Sequence, residues 1–535
     1  MRTDNRKVSI LLVFSLAIVA LTVMPLVVIF SSWKHSAQEI WQHMVETILA
    51  DLFKNSALLC SGVAITTGIL GTTLAWFTGV CDYPGRRFFS WALLLPLAIP
   101  TYVLAFVFLG LFDFVGPVQS LIRRAGLSWN IEIRSTLGVV IVMSLALYPY
   151  VYLLARGAFV SHGKSLLEAA QSLGCSNRSA FFRVALPMAR PWIAGGVLLV
   201  IMETLADFGA VSIFNYDTFT TAIYKAWSGF FSIEVAAQIS SILVMIVFVI
   251  ILLEQQTRKN RHFAESVKHS TQVKRIRLQG ATKWLAFSIS SAVLLIAFVI
   301  PLIQIIIWCF REREWFDSSY IALVGHSLVL SLMAALFILI CSMVLAYTQR
   351  RYPNTFISVI TKTATLGYAL PGTVLAVGLF IAITWFDKAL VFLFGIAGLE
   401  SSAFLQGTVV TMILAYAVRF MAAGFNPVNS ALKQLSKSID EAACSLKVTG
   451  VKMIARVHVP ILKKGLFTAT ILVFIDVMKE MPITLMTRPF GWDTLAVKIY
   501  ELTSEGEWQR AAIPAAILIA GGVIPVVFLT KQVDA

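Results

Sequence analysis

The sequence predicts an all-α polytopic membrane protein of about twelve transmembrane helices, arranged as two parallel six-helix repeats. Three observations predict it. Of the 535 residues, 58% are hydrophobic and only 13% are charged, and mean hydropathy is +0.82; soluble domains are roughly a quarter charged. The apolar residues fall into twelve runs, each near the length that crosses a ~30 Å hydrocarbon core. A twenty-residue frame then recurs at a spacing of 273 residues. This composition excludes a disordered chain, a coiled coil and a secreted disulfide scaffold.

The first run, Val8–Phe30, follows Arg2, Arg6 and Lys7. It is too long for the apolar core of a signal peptide, and no small-x-small cleavage site follows, so it reads as an uncleaved span. Further runs lie at 56–79, 91–113, 136–155, 191–213, 235–253, 284–308, 327–348, 364–386, 405–423, 465–487 and 511–530. With the N-terminus inside, thirty of the 43 Lys and Arg fall in cytoplasmic segments. That is the positive-inside bias, and most acids lie elsewhere. The net charge of +15 therefore reports topology, both termini are expected in the cytoplasm, and nucleic acid is not an expected partner. The six cysteines (60, 81, 175, 309, 341, 444) form no close pair of the metal-binding kind and are expected as free thiols.

The polar, basic segment 255–283 divides the chain into a first repeat, 1–254, and a second, 284–535. Asn55-Ser56 and His326-Ser327 each begin a span, and Tyr83-Pro84 and Tyr352-Pro353 mark the same cytoplasmic turn. LEAAQSLGCSNRSAFFRVALP (167–187) aligns with DEAACSLKVTGVKMIARVHVP (440–460). Six spans per repeat leave both copies on one side of the membrane, so the repeats are parallel.

Within 160–190 and 433–464 the aligned segments begin as helices. Leu166, Leu167, Ala170 and Leu173 make one apolar face; Ile439, Ala442, Ala443 and Leu446 make the other. An exposed helix with small alanines and one acid suits a groove on a partner; it equally suits an amphipathic helix lying on the bilayer. The Glu-Ala-Ala triplet, a Gly six positions on and a closing Leu-Pro resemble the EAA loop of binding-protein-dependent ABC importer permeases. In that family the loop docks on cytoplasmic ATPase subunits. The resemblance implies coupling roles for Glu168, Ala169, Ala170 and Gly174, and for Glu441, Ala442 and Ala443. Lys447 stands where the second Gly is expected, with Gly450 three residues on. Two such loops in twelve spans resemble the fused permeases of the type I importer fold.

The chain should bind no nucleotide itself. Gly157–Ser165 has five residues between its glycines where a phosphate loop needs four, and it follows a membrane helix rather than a strand. No catalytic set is evident and no resident cofactor is expected; ATP would be used by two copies of a partner ATPase. Four acids sit in the fifth spans: Glu203 and Asp207, then Asp476 and Glu480, each 273 residues after its counterpart. A carboxylate facing lipid at mid-bilayer costs about 2.5–3.5 kcal/mol, so they should face the interior. There they could line a path and contact a hard, multiply charged cation in transit, or be structural, with Lys479 as an ion-pair partner. The flanking stretches Glu203–Ser212, Thr218–Tyr224, Lys479–Thr484 and Asp493–Ala496 resemble ferric iron importer permeases. That implies a periplasmic ferric-binding protein as a further partner in the bacterial inner membrane. Thiamine, phosphonate and polyamine systems share the fused architecture, and an ion-coupled secondary transporter is the rival class. The outer loops 214–234 and 488–510 are acidic through Asp217, Glu234, Asp493, Glu501, Glu505 and Glu507. They suit either a binding-protein surface or a solvated face.

Overall fold

The computed structural model describes residues 5–34, 38–126, 132–172, 174, 176–259, 275–312, 318–396, 404–448 and 450–533. Among the described residues its regular structure is helical, apart from one short parallel pairing of Cys81–Asp82 with Ile276–Arg277. Each of the twelve expected runs is largely helical, with 91–113 interrupted at Ile99–Pro100 and 364–386 at Leu370–Pro371. Among the described residues, ten helices are long and apolar enough to cross a membrane. Of the other two, Val459–Lys479 carries Lys463, Lys464, Asp476 and Lys479. In Ala512–Val533 the side chains beyond Val523 lie outside the described residues.

The chain forms two compact units, and neither follows a sequence half. One comprises Met1–Trp41, Ile223–Ile242 and Asp317–Lys498; the other comprises Gln42–Ala222, Leu243–Phe316 and Ile499–Ala535. In the first, helix Asn5–Ser31 packs on second-repeat helices: Ser15 Oγ meets Thr348 Oγ1 at 2.9 Å, and Pro25 and Ile29 fill the space beside Gly378. In the second, the span Ala281–Arg311 packs on first-repeat helices, with Trp308 stacked on Phe106. Tyr83 Oη meets Ser290 Oγ at 3.0 Å. Each repeat thus contributes its opening span to a unit built mainly from the other repeat. Residues 260–274 of the basic linker lie outside the described residues.

Within the second unit, helices Leu49–Gly79, Thr136–Ser172 and Leu186–Ala206 meet at small residues. A Cβ on Gly71 would stand 2.7 Å from Val151 Cβ and 2.9 Å from the Tyr152 nitrogen. One on Gly196 would stand 2.9 Å from Val151 Cα. Lipid is as apolar as leucine, so helices associate here through close van der Waals packing rather than hydrophobic exclusion. Gly71→Val should therefore cost about 1–3 kcal/mol by overpacking and lower the thermal unfolding midpoint in detergent. Gly157→Ala, which meets no atom within 4 Å, should leave the midpoint unchanged; equal midpoints for all three proteins would refute the close-packing account.

Candidate functional site

The expected spans 191–213 and 465–487 are not continuous helices. Helix Leu186–Ala206 stops at Asp207, and helix Val459–Lys479 stops at Glu480, in each case with an extended backbone. Short helices Gly209–Ile213 and Pro482–Thr487 follow. The two carboxylates cap those helices. Asp207 Oδ1 accepts from the Ala210 and Val211 nitrogens at 2.9 and 3.2 Å. Glu480 Oε1 and Oε2 accept from the Ile483 and Thr484 nitrogens at 3.0 and 3.2 Å. Both breaks thus offer a carboxylate to backbone donors that a continuous helix would have satisfied itself.

The repeats complete this device differently. Thr101 Oγ1 donates to Asp207 Oδ2 at 2.5 Å. In the other copy Gly372 leaves room instead: a Cβ there would stand 2.8 Å from Glu480 Oε1. Arg419 occupies that space, its Nη1 3.9 Å from Glu480 Oε1. Glu480 is buried and Asp207 half-buried. Glu203 and Asp476, one helical turn earlier, are half-buried, and Asp476 sits in the field of Lys479 and Arg419. Among the described residues, no three His, Cys, Asp or Glu side chains gather as a metal site. Thr101, Gly372 and Arg419 escaped the sequence reading. The break itself had a signal in Pro482, which opens a helix far more readily than it continues one.

The two EAA-like loops repeat the frame at matched positions. In the first repeat, Glu168, Ala169 and Ala170 ride on the end of helix Thr136–Ser172, and their side chains lie outside the described residues. In the second, helix Val409–Gln434 ends and a separate helix, Lys437–Ser445, carries Glu441, Ala442 and Ala443. Ala443 is buried, Glu441 and Ala442 are exposed, and Leu446 is 78% exposed. Gly174 has φ 81° and Lys447 has φ 59°. Lys447 therefore adopts the left-handed turn of the glycine it replaces. The Val448 nitrogen donates to the Ala443 carbonyl at 2.9 Å, and the Lys447 nitrogen to the Cys444 carbonyl at 2.9 Å. This pair of bonds is the Schellman closure of a helix, which favours glycine at the left-handed position. Gly450 is also left-handed, at φ 62°. Wide π turns follow at Phe181–Ala185 and Ile454–His458, again 273 residues apart.

Asp440, beside Glu441, is gripped from two sides. Arg350 donates from Nη2 and Nε to Oδ2 at 2.7 and 3.1 Å, and His458 Nε2 lies 2.8 Å from Oδ1. Partial burial raises the Asp440 pKa, but the hydrogen bonds from Arg350 and His458, together with their charges, outweigh it and hold the carboxyl below its ordinary 3.8. A depressed carboxyl stabilises the fold above its unfolded value and stops doing so as pH falls through the depressed one. Mild acidification therefore leaves Asp440 ionised.

The outer loops are tied down at matched places. Asn55 Nδ2 donates to the Asp217 carbonyl at 3.1 Å, and His326 Nδ1 lies 3.2 Å from the Asp493 carbonyl. The Asp493 side chain pairs with Arg488 at 2.5 Å. The backbones of both aspartates thus serve to anchor their loops.

A helical polytopic chain with two capped breaks and a repeated EAA-like helix has the build of a transport permease. Residues 69–262 match the family described as binding-protein-dependent transport system inner membrane component, a region that holds the first cytoplasmic helix and the Asp207 break. The chain is 28% identical, over 90% of its length and 90% of the relative's, to an Fe(3+)-transport system permease protein of Haemophilus influenzae. It is 23% identical, over 97% of its own length and 77% of the relative's, to a ferric transport system permease protein of Actinobacillus pleuropneumoniae. A sulfate transport system permease protein of Salmonella typhimurium is 27% identical over 32% of the chain and 61% of that relative. The likeness to binding-protein-dependent permeases drawn from the two loops is borne out, and the length is that of a fused, two-repeat chain.

The Lys447 turn can be tested directly. A left-handed non-glycine residue carries a penalty of roughly 1–2 kcal/mol, so Lys447→Gly should slow hydrogen exchange of the amides of 443–448. Unchanged or faster exchange would show that the turn is unstrained.

Proposed function

We propose that this chain is the membrane subunit of an ATP-driven importer, moving ferric iron from a periplasmic binding protein into the cytoplasm by alternating access. The observation that carries the reading is similarity to ferric permeases along nine-tenths of the chain rather than over one domain. The likeness to sulfate permeases spans only a third of it. Two copies of a cytoplasmic ATPase dock on the loops around Glu168 and Glu441, and both termini lie in the cytoplasm. The exposed Leu446 and Ala442 suit a groove on such a partner. The chain hydrolyses no ATP and holds no resident cofactor; iron is its cargo.

The acids divide by role. Asp207 and Glu480 hold the two breaks through backbone donors. Glu203 and Asp476, one helical turn before the breaks, line the path and touch the ferric ion in transit. Passage at mid-membrane past a broken helix is the arrangement in which non-helical backbone is tolerated, because there it borders a cavity rather than lipid.

The deciding measurement is ATP hydrolysis by the complex in lipid vesicles, with binding protein added iron-free or ferric-loaded. Stimulation by the ferric form supports importer and cargo together. Assembly without ferric stimulation reassigns the cargo, with sulfate, thiamine, phosphonate and polyamine next to test; failure of any ATPase to assemble favours a secondary transporter. Two variants sharpen this. Glu168→Lys with Glu441→Lys should release or uncouple the ATPase while the chain still inserts. Glu203→Ala with Asp476→Ala should lower uptake with the ATPase retained; wild-type uptake there would make both acids structural.

A further inference from the structure

We propose that Arg350, Asp440 and His458, backed by Tyr347, form a clamp that positions the second coupling helix, and that Leu167 and Ala185, at the aligned positions of the first repeat, do not reproduce it. The inference rests on the permease reading above. Asp440 is the residue immediately before Glu441, so whatever holds its carboxylate sets the angle at which Lys437–Ser445 meets a partner.

Arg350 ends the helix Ser318–Arg351, the second span of its repeat. Its Nη2 and Nε hold Asp440, while its Nη1 donates to the Leu432 and Leu435 carbonyls at 2.6 and 3.2 Å. Those carbonyls lie at the end of the fourth span, where the helix runs out of its own donors; the Leu432 carbonyl also accepts from the Leu435 cap nitrogen, at 3.3 Å. His458 closes the π turn that leads into Val459–Lys479, the helix that carries Asp476 and stops at Glu480. It is buried, with Nε2 on Asp440 Oδ1 and Nδ1 bonded to the Tyr347 hydroxyl. One guanidinium and one imidazole thus join the coupling helix to the ends of spans two, four and five. A displacement of Lys437–Ser445 must move those spans with it or break charge-assisted hydrogen bonds, which are about twice as strong as neutral ones.

The first repeat cannot build the same clamp. At the 273-residue spacing Asp440 corresponds to Leu167 and His458 to Ala185, neither of which carries an ionisable group. Aromatic rings occupy the corresponding region: Trp76 lies 4.7 Å from Phe181 and 5.5 Å from Phe159, centroid to centroid. Rings slide against each other with little penalty, whereas a carboxylate held by three donors has one geometry. The second docking site is therefore the preorganised one, and Arg350, Asp440 and His458 are positioning residues for force transfer.

The test uses the full complex in vesicles and reads three quantities: ATPase retained on the purified chain, ATP hydrolysed, and uptake per ATP. Asp440→Asn should retain the ATPase and keep hydrolysing, while uptake per ATP falls about tenfold, a typical coupling effect. Asp440→Glu should recover most of it. A purely structural role would lower hydrolysis and uptake together. A wild-type ratio in Asp440→Asn, or no recovery in Asp440→Glu, overturns the proposal. Hydrogen exchange on the chain alone separates this failure from failure of the permease reading. Amides of 437–448 should exchange more slowly than those of 164–175 and lose that protection in Asp440→Asn. Equal protection of the two loops refutes the clamp, whether or not any ATPase binds.

Discussion

The constraint behind this structure is that a backbone N–H or C=O in hydrocarbon must find a partner within the protein. A helix satisfies it automatically until the helix stops. Two of these helices stop, at Asp207 and Glu480, and each stop leaves N–H groups at the start of the next helix unsatisfied. A carboxylate at each break accepts from two of them. Asp387 does the same where the chain turns at Leu405 and Gln406. Acids inside the membrane are costly, so their presence needs a reason. At three places here the reason is backbone that no helix can satisfy.

Both repeats answer the constraint with one skeleton and different chemistry. Helix ends, π turns and left-handed turns recur at the 273-residue spacing. The side chains that finish each feature do not. Thr101 completes the Asp207 cap where Gly372 and Arg419 flank Glu480. Gly174 makes its turn without strain where Lys447 makes the same turn as a residue that resists it. Backbone geometry is shared because hydrogen-bond satisfaction leaves few alternatives. The groups around it can diverge as long as each donor keeps an acceptor.

This division explains what was legible in the sequence. Hydropathy located the twelve helical runs because apolar length is a local property, and the spacing of 273 exposed the repeat. The breaks were hidden because apolar residues continue across them: Phe208 to Ile213 reads as span while its backbone has already turned. The four acids were found, yet which of them cap a break depends on which backbone nitrogens point at each. The packing of Asn5–Ser31 on second-repeat helices left no trace in its own residues, since a lipid-length apolar helix matches many neighbours. Asp440 stood inside the recognised motif, but Arg350 is ninety residues away and has no local pattern to tie it there.

Fusion of two repeats into one chain is what permits the asymmetry. A permease made of two identical subunits must present identical cytoplasmic loops, because any substitution appears twice. In a fused chain Leu167 and Asp440 are separate codons, so one loop can acquire an ionic clamp while the other keeps aromatic packing. The same freedom would allow Lys447 to be retained: a left-handed lysine strains its turn by about 1–2 kcal/mol, a penalty tolerable when neighbouring contacts over-determine the conformation. The Schellman bonds and the grip on Asp440 supply such contacts within one short helix. Strain and clamp occur together in the second repeat, and glycine stands at the turn in the repeat that has Leu167 and Ala185 at the clamp positions.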